Sequence, residues 1–573
     1  MESVIVLVIV GVVVIAAATG LAPRVNVAGP LLLVIAGLTV SLLPFVPAVE
    51  LDPEIILVGI LPPLLYSAAV SLPAIEFRRD FGPISGLSVV LVVLTSLVLG
   101  LFFSWAIPDL GLLLAIALGA ILSPTDAVAT SIVKRLGLSP RVVTMLEGES
   151  LLNDATSLVL LRTAVAAVAA GGAVAVGEFV GAFAWGVVIA IVIGTVVGLI
   201  TLRFRAWVGH SAANTAVGFV VPFVAFLPTE HFGGSGLVAA VVAGIVTGQG
   251  SARWLTADQR LSDRLNWRTA ELVLEGAVFL IMGLELKDIW QQNVAEHAGP
   301  TRAVGLALAS LAIVLVVRAG YVSLLVLLQG RAARSAQRRR LDQVGARLEA
   351  FDDRALDPRE PPHRRRFAQR RLASLRRRLR RAMADLDYYQ ASPIGWKHGG
   401  IIVWAGMRGV VTLAAAQTLP LDTPSRELLI LTAFLLAVIS LLLQGFTLPV
   451  FARLLRIPPE DDDLTRDEQQ RIDAALREAA ALALAEGPLL RGDGTAFPPD
   501  LVEHVSRRYA EPLDDDETEA RRDALALRLA VIGVMRERLL SLSRTGLSSA
   551  VLRQALAELD ADELNLRLRL DDA

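Results

Sequence analysis

The strongest constraint on the fold of this chain is a succession of apolar runs. Thirteen of them lie near residues 3–22, 29–47, 55–72, 84–107, 110–133, 144–170, 176–203, 214–229, 233–250, 264–287, 302–330, 398–419 and 426–456. Each is close to the roughly 20 residues an α-helix needs to cross about 30 Å of hydrocarbon. Membrane strands are about ten residues long with alternating polarity, whereas these runs are apolar throughout. With 54% hydrophobic and only 19% charged residues, the chain is too apolar for ordinary soluble cores. An all-α polytopic membrane protein is expected. The first run follows Met1 and Glu2 without a basic region, so it reads as a retained helix and not a cleaved signal. The absence of cysteine excludes disulfides and thiolate chemistry.

The loops predict the orientation. If alternate loops are cytoplasmic, one set holds Arg24, Arg78, Arg79, Lys134, Arg135, Arg141, Arg203, Arg205, Arg253, Arg260, Arg264 and Arg268, against Lys287, Arg302 and Arg426 in the other. By the positive-inside rule the amino terminus lies outside the plasma (inner) membrane and the carboxyl terminus in the cytoplasm. Residues 1–456 are then one transmembrane domain, interrupted at 331–397 by a cytoplasmic loop rich in arginine, including Arg338 to Arg340, Arg364 to Arg366 and Arg376 to Arg378. Such a loop reinforces topology and can attract anionic lipid. It lacks the aromatic interleaving of a nucleic-acid surface, and no nucleic-acid partner is expected. Residues 457–573 are acidic and helix-forming, with a capping-box pattern at Thr465 and Glu468, and predict a small helical cytoplasmic tail of regulatory or dimer-stabilising role.

The chemistry must come from polar residues inside the apolar runs. In the fifth run, Pro124, Thr125 and Asp126 sit mid-membrane, where proline removes a backbone donor and frees a carbonyl. A broken helix there is tolerated only beside protein or a water-filled cavity. Its carbonyls, the Thr125 hydroxyl and the Asp126 carboxylate are hard oxygen ligands suited to an alkali cation. In the sixth run, Glu149 and Asn153 are four residues apart, as are Ser150 and Asp154, so both pairs are expected to open into one cavity. A carboxylate such as Asp154 is too costly to serve merely as helix glue. The twelfth run carries Gly399, Gly400, Gly406, Met407, Arg408 and Gly409. Interrupted runs in corresponding places of two halves point to inverted repeats with a site at midplane. Arg408 needs a carboxylate at that depth, with Glu149 the first choice and Asp126 the second. Glu275 and Arg318 read as structural pairs, and Arg162 has no evident partner in the sequence.

Pro124-Thr125-Asp126, the run from Glu149 through Ser150 and Asn153 to Asp154, and Gly406-Met407-Arg408-Gly409 together resemble the bacterial sodium/proton exchanger family of the cation/proton antiporter-1 type. Leu61 to Tyr66, Gly234 to Gly236, and Glu275 with Gly283 fit the same family, and Leu556 to Leu570 resembles the tail end of some members. The resemblance implies about thirteen transmembrane helices in inverted repeats with broken crossing helices, divided into core and dimerisation domains. It also implies a homodimer that moves like an elevator and serves pH homeostasis. It makes Asp154 the carboxylate shared by cation and proton, with Thr125, Asp126 and Ser150 completing the ion site, Asn153 supporting Asp154, and Glu149 with Arg408 as a stabilising pair. One departure is Ser67, where some members carry an acidic residue.

A carboxylate in a poorly hydrated cavity is kept neutral by a proton or by a cation, so the two compete for Asp154. With Asn153 in place of a second aspartate, one proton is expected to exchange for one Na+, Li+ or K+ without net charge movement. No cofactor or enzymatic activity is expected. The rival readings are a potassium/proton antiporter of the same fold, a cation channel and a membrane sensor.

Overall fold

The computed structural model describes residues 2–25, 27–43, 52–170, 176–295, 299–332 and 394–457, with scattered positions between 529 and 570. The chain divides into two units, Met1–Glu460 and Asp461–Ala573. Most of the arginine-rich loop and of the acidic tail lies outside the described residues.

The described residues of the first unit form helices joined by turns and short unwound segments, with no strand among them. In chain order the helices are α1 (Glu2–Val25), α2 (Gly29–Ser41), α3 (Leu61–Ser71), α4 (Ala74–Arg79), α5 (Phe81–Ser85), α6 (Leu91–Ala106), α7 (Gly111–Leu122), α8 (Val128–Arg135) and α9 (Pro140–Ala169). They continue with α10 (Val176–Val208), α11 (Ser211–His231), α12 (Gly236–Trp254), α13 (Ala257–Leu284), α14 (Leu286–Ala295) and α15 (Pro300–Ala332). The last three are α16 (Trp396–Trp404), α17 (Val410–Gln417) and α18 (Arg426–Leu454). Wider π-type turns, Ile55–Ile60 and Gly86–Val90, lead into α3 and α6. Each of the apolar runs contains helix among the described residues. Among the described residues, seven helices are long and apolar enough to cross a membrane, and four shorter apolar ones accompany them.

The helices pack as two groups. One joins α1, α2, α3, α10, α11, α12 and α13; in the other, α6, α7, α9, α15, α16, α17 and α18 pack on one another. Without water to drive association in lipid, small residues let helix backbones approach closely. At the crossing of α2 and α13, a Cβ placed on Gly37 would lie 2.8 Å from the Gly283 Cα, so neither position has room for a side chain. Val8, Val13, Val188, Ile200 and Leu327 project outward from α1, α10 and α15, as lipid-facing positions should.

Both expected helix breaks are present. The first lies between α7 and α8 and the second between α16 and α17, and the two unwound segments cross, with the Asp126 amide donating to the Met407 carbonyl at 2.7 Å. Glycine is required at 409, because a Cβ there would overlap the Asp126 carboxylate. Each unwound segment thus satisfies at the crossing part of what the other lost on unwinding.

Candidate functional site

A cavity of about 180 Å³ opens beside this crossing. Thr125, Asp126, Ser150 and Asp154 line it together with Ala68, Glu271, Glu275 and Thr412. Asp126 is anchored by its own helix: Oδ1 accepts the Val128 amide at 2.9 Å, so the carboxylate caps the start of α8. Ser150 donates to the Glu147 carbonyl at 3.2 Å. Among the described residues Asp154 has no hydrogen-bond or ion-pair partner, which leaves its oxygens facing the cavity. No arginine, lysine or histidine lines this space. Within the described residues, no three carboxylate or imidazole groups converge as a metal cage.

Glu149 and Asn153 face elsewhere. Successive helix residues point about 100° apart, so the 149/153 pair and the 150/154 pair open on different sides of α9. The expectation of one shared cavity is corrected accordingly. Glu149 and Asn153 line a separate small cleft with Ser123, Arg318 and Arg408. There Asn153 Nδ2 donates to Thr125 Oγ1 at 2.7 Å and to the Thr125 carbonyl at 3.3 Å, while Thr125 Oγ1 donates to Glu149 Oε1 at 3.1 Å. Thr125 is the shared element between cleft and cavity, and Asn153 acts on it instead of touching Asp154.

The partner expected for Arg408 is also corrected. Glu149 is paired with Arg318: one guanidinium nitrogen contacts Oε1, the other donates to Oε2 at 2.8 Å, and Nε donates to the Ile402 carbonyl at 2.9 Å. Arg408 pairs with neither Glu149 nor Asp126. It donates to the carbonyls of Leu122 (3.2 Å), Ser123 (3.4 Å) and Gly406, while its own amide donates to Ser440 Oγ at 3.0 Å. Carbonyls at the broken ends of α7 and α16 carry partial negative charge. They supply the counter-charge that the sequence reading assigned to a carboxylate.

Three further pairings were not legible in advance. Arg162 pairs with Glu230, whose other oxygen accepts the Gly236 amide at 2.8 Å and so caps α12. Ser67 Oγ donates to Glu271 Oε1. Arg141 binds Asp80 through Nε and a terminal nitrogen, at 3.0 and 2.8 Å, with both groups buried. The four-residue spacing of Glu271 and Glu275 was a visible signal for a shared helix face, although it did not name the facing helix.

The family model described as "Sodium/hydrogen exchanger, transmembrane" matches residues 9–345 and 372–454. The chain belongs to that family. This makes the exchanger a multi-pass secondary transporter and not an enzyme. Over 573 residues it is 28% identical to an uncharacterised Na+/H+ exchanger of Mycobacterium tuberculosis, covering 96% of this chain and 93% of the relative. It is 31% identical to a sodium, potassium, lithium and rubidium/H+ antiporter of Bacillus pumilus over 45% of this chain and 40% of that one. The solved sodium proton antiporter of Methanocaldococcus jannaschii shares the fold, with a TM-score of 0.56 at 16% identity over 80% of this chain and 100% of that one.

Proposed function

We propose that the protein exchanges one monovalent cation, with sodium first in order, for one proton across the plasma membrane by alternating access. Asp154 is the group for which ion and proton compete. The observation that carries this reading is an otherwise unpartnered carboxylate facing a membrane-embedded cavity, beside two crossed helix breaks, with no basic side chain in the lining. A cation entering there finds Asp154, the Thr125 and Ser150 oxygens and Asp126 within one wall. Electroneutral 1:1 exchange is favoured by the rest of the site. Glu149 is neutralised by Arg318, and Asn153 is uncharged and occupied with Thr125. Of the two aspartates there, Asp126 is held by the Val128 amide, and Asp154 is the one left to alternate between proton and cation.

The Bacillus relative, whose name includes potassium, favours a second reading in which potassium is also carried. The positive-inside pattern supports an outer amino terminus and a cytoplasmic carboxyl terminus, and the family's architecture supports a homodimer. Anionic lipid is the partner suggested for the basic loop.

The test is pH-dye recovery in proteoliposomes with purified protein and its Asp154→Asn variant, with sodium, lithium or potassium added at clamped or free membrane potential. Cation-driven proton movement that ignores voltage and vanishes in the variant is expected. Equal transport by the variant refutes the role of Asp154, and strong voltage dependence in both directions refutes the 1:1 stoichiometry.

A further inference from the structure

Part of the cavity lining comes from α3, α13 and α17, and it holds oxygen ligands that the exchange reaction at Asp154 does not use. Glu271 and Glu275 lie one turn apart on α13 and both line the cavity. Glu275 lies within electrostatic range of Asp126 and of Glu271. The nearby arginines offer no compensation: Arg318 is committed to Glu149, and Arg408 to backbone carbonyls. Carboxylates at membrane depth are expensive unless something positive accompanies them.

Thr412 supplies an independent indication of what that is. It is fully buried in the first turn of α17, lines the same cavity, and its Oγ1 has no hydrogen-bond partner. Four other buried threonines return the hydroxyl to the carbonyl four residues earlier, Thr156 to Leu152, Thr229 to Ala225, Thr247 to Ala243 and Thr432 to Leu428, whereas Thr130 and Thr423 are buried without a partner but do not line this cavity. For Thr412 that carbonyl belongs to Arg408, which lies in the unwound segment before the helix. The break therefore leaves a hydroxyl oxygen free at the cavity wall, and α17 packs directly against α13. An unpaired buried hydroxyl is destabilising in itself, whereas hydroxyl and carboxylate oxygens together are the hard donors that suit an alkali cation. Ser67, which does not itself line the cavity, donates to one oxygen of Glu271 and leaves the other without a hydrogen-bond partner among the described residues.

We propose that Ser67, Glu271, Glu275 and Thr412 form a second monovalent-cation subsite, which an ion occupies on its way to Asp154 and which sets apparent affinity and ion preference. The inference rests on the reading of this cavity as the ion path. An ion at the subsite is bound by Glu271, Glu275 and Thr412, with Ser67 positioning Glu271. A carbonyl-poor, hydroxyl-containing set of this kind also gives the chain a means of ranking sodium, lithium and potassium that is separate from the exchanging carboxylate.

The experiment has two readouts. Equilibrium binding of radioactive sodium to purified Asp154→Asn protein is expected to persist, and to weaken at least about tenfold when Glu271→Gln and Glu275→Gln are added. In the otherwise unaltered exchanger, Thr412→Val and Ser67→Ala remove one hydroxyl each, and each is expected to raise the KM for sodium several-fold with the maximal rate retained. That pattern marks lost binding common to ground and transition states. Gel filtration verifies folding, and the two hydroxyl variants keep the test decisive if the paired glutamine variant does not fold. Absence of sodium binding by Asp154→Asn, binding unaffected by the glutamine pair, or hydroxyl variants with parental KM would each overturn the subsite. Failure of the exchange reading is distinct, since it appears as transport retained in Asp154→Asn.

Discussion

The buried pairing of Glu149 with Arg318 makes a quantitative prediction that separates it from the pairing expected from the sequence. Both side chains are about 2% exposed. Arg318→Met leaves the Glu149 carboxylate buried with the Thr125 hydroxyl and, across the same cleft, an Arg408 whose hydrogen bonds go to carbonyls, and removing one partner of such a pair costs roughly 3–5 kcal/mol. Glu149→Gln strands the Arg318 guanidinium, which keeps only its bond to Ile402, and is expected to cost a similar amount. Replacing both removes the two desolvated charges together, so the double variant should be far less destabilised than the sum. The coupling energy should be about 3 kcal/mol for Glu149 with Arg318, and no more than about 1 kcal/mol for Glu149 with Arg408, whose hydrogen bonds go to carbonyls. Equilibrium unfolding in mixed micelles, run on the four members of each cycle, measures both numbers. A larger coupling for Arg408 than for Arg318 would refute the assignment.

Other consequences can be checked more simply. Gly409→Ala drives a methyl group into the Asp126 carboxylate and should abolish transport in proteoliposomes; adding Asp126→Ala should recover stability in detergent but not transport. Gly283→Leu cannot be accommodated against Gly37 and should greatly reduce the yield of monodisperse protein, with Gly283→Ala intermediate. Asp80→Asn breaks the buried bidentate contact with Arg141 and should destabilise by about 3–5 kcal/mol, read from the same unfolding assay. Arg162→Gln removes a pair in which Arg162 is half exposed, and should change stability by no more than about 1 kcal/mol.

Much of the architecture was legible because hydrocarbon punishes polar backbone and polar side chains so strongly. Thirteen apolar runs became helix, and Pro124 and the glycines around Arg408 marked the unwound crossings. Within α9, the spacing of Glu149, Ser150, Asn153 and Asp154 gave the pairs but not the division between them. A four-residue repeat says which residues share a face, and the rotation of about 100° between neighbours was the available clue that 149 and 150 do not. The choice of partners was less accessible. Arg318 and Arg408 both lie in apolar surroundings, and nothing in their spacing from Glu149 tells which helix passes beside it. A guanidinium satisfied by carbonyls is invisible to a reading that matches charges only with charges, and carbonyls are freed only where a helix is broken. Ser67 is similar: as a residue on α3 it looks like a lost acid, and only the packing of α13 brings Glu271 to its hydroxyl.

The way Arg408 grips the ends of α7 and α16 bears on leakage. An exchanger wastes its gradient if the binding apparatus can return across the membrane with nothing aboard. At the crossing, the negative helix ends are already matched by a covalently attached cation that never dissociates, and Asp126 is tied to the start of α8. The arginine at the break therefore contributes a fixed charge, and on the proposed reading whether the passage is cheap or forbidden is left to the occupancy of the cavity. With Asp154 as the proposed exchanging carboxylate, a resident arginine in place of a second mobile ion keeps the coupling tight, because an empty return stroke would carry that carboxylate bare through hydrocarbon.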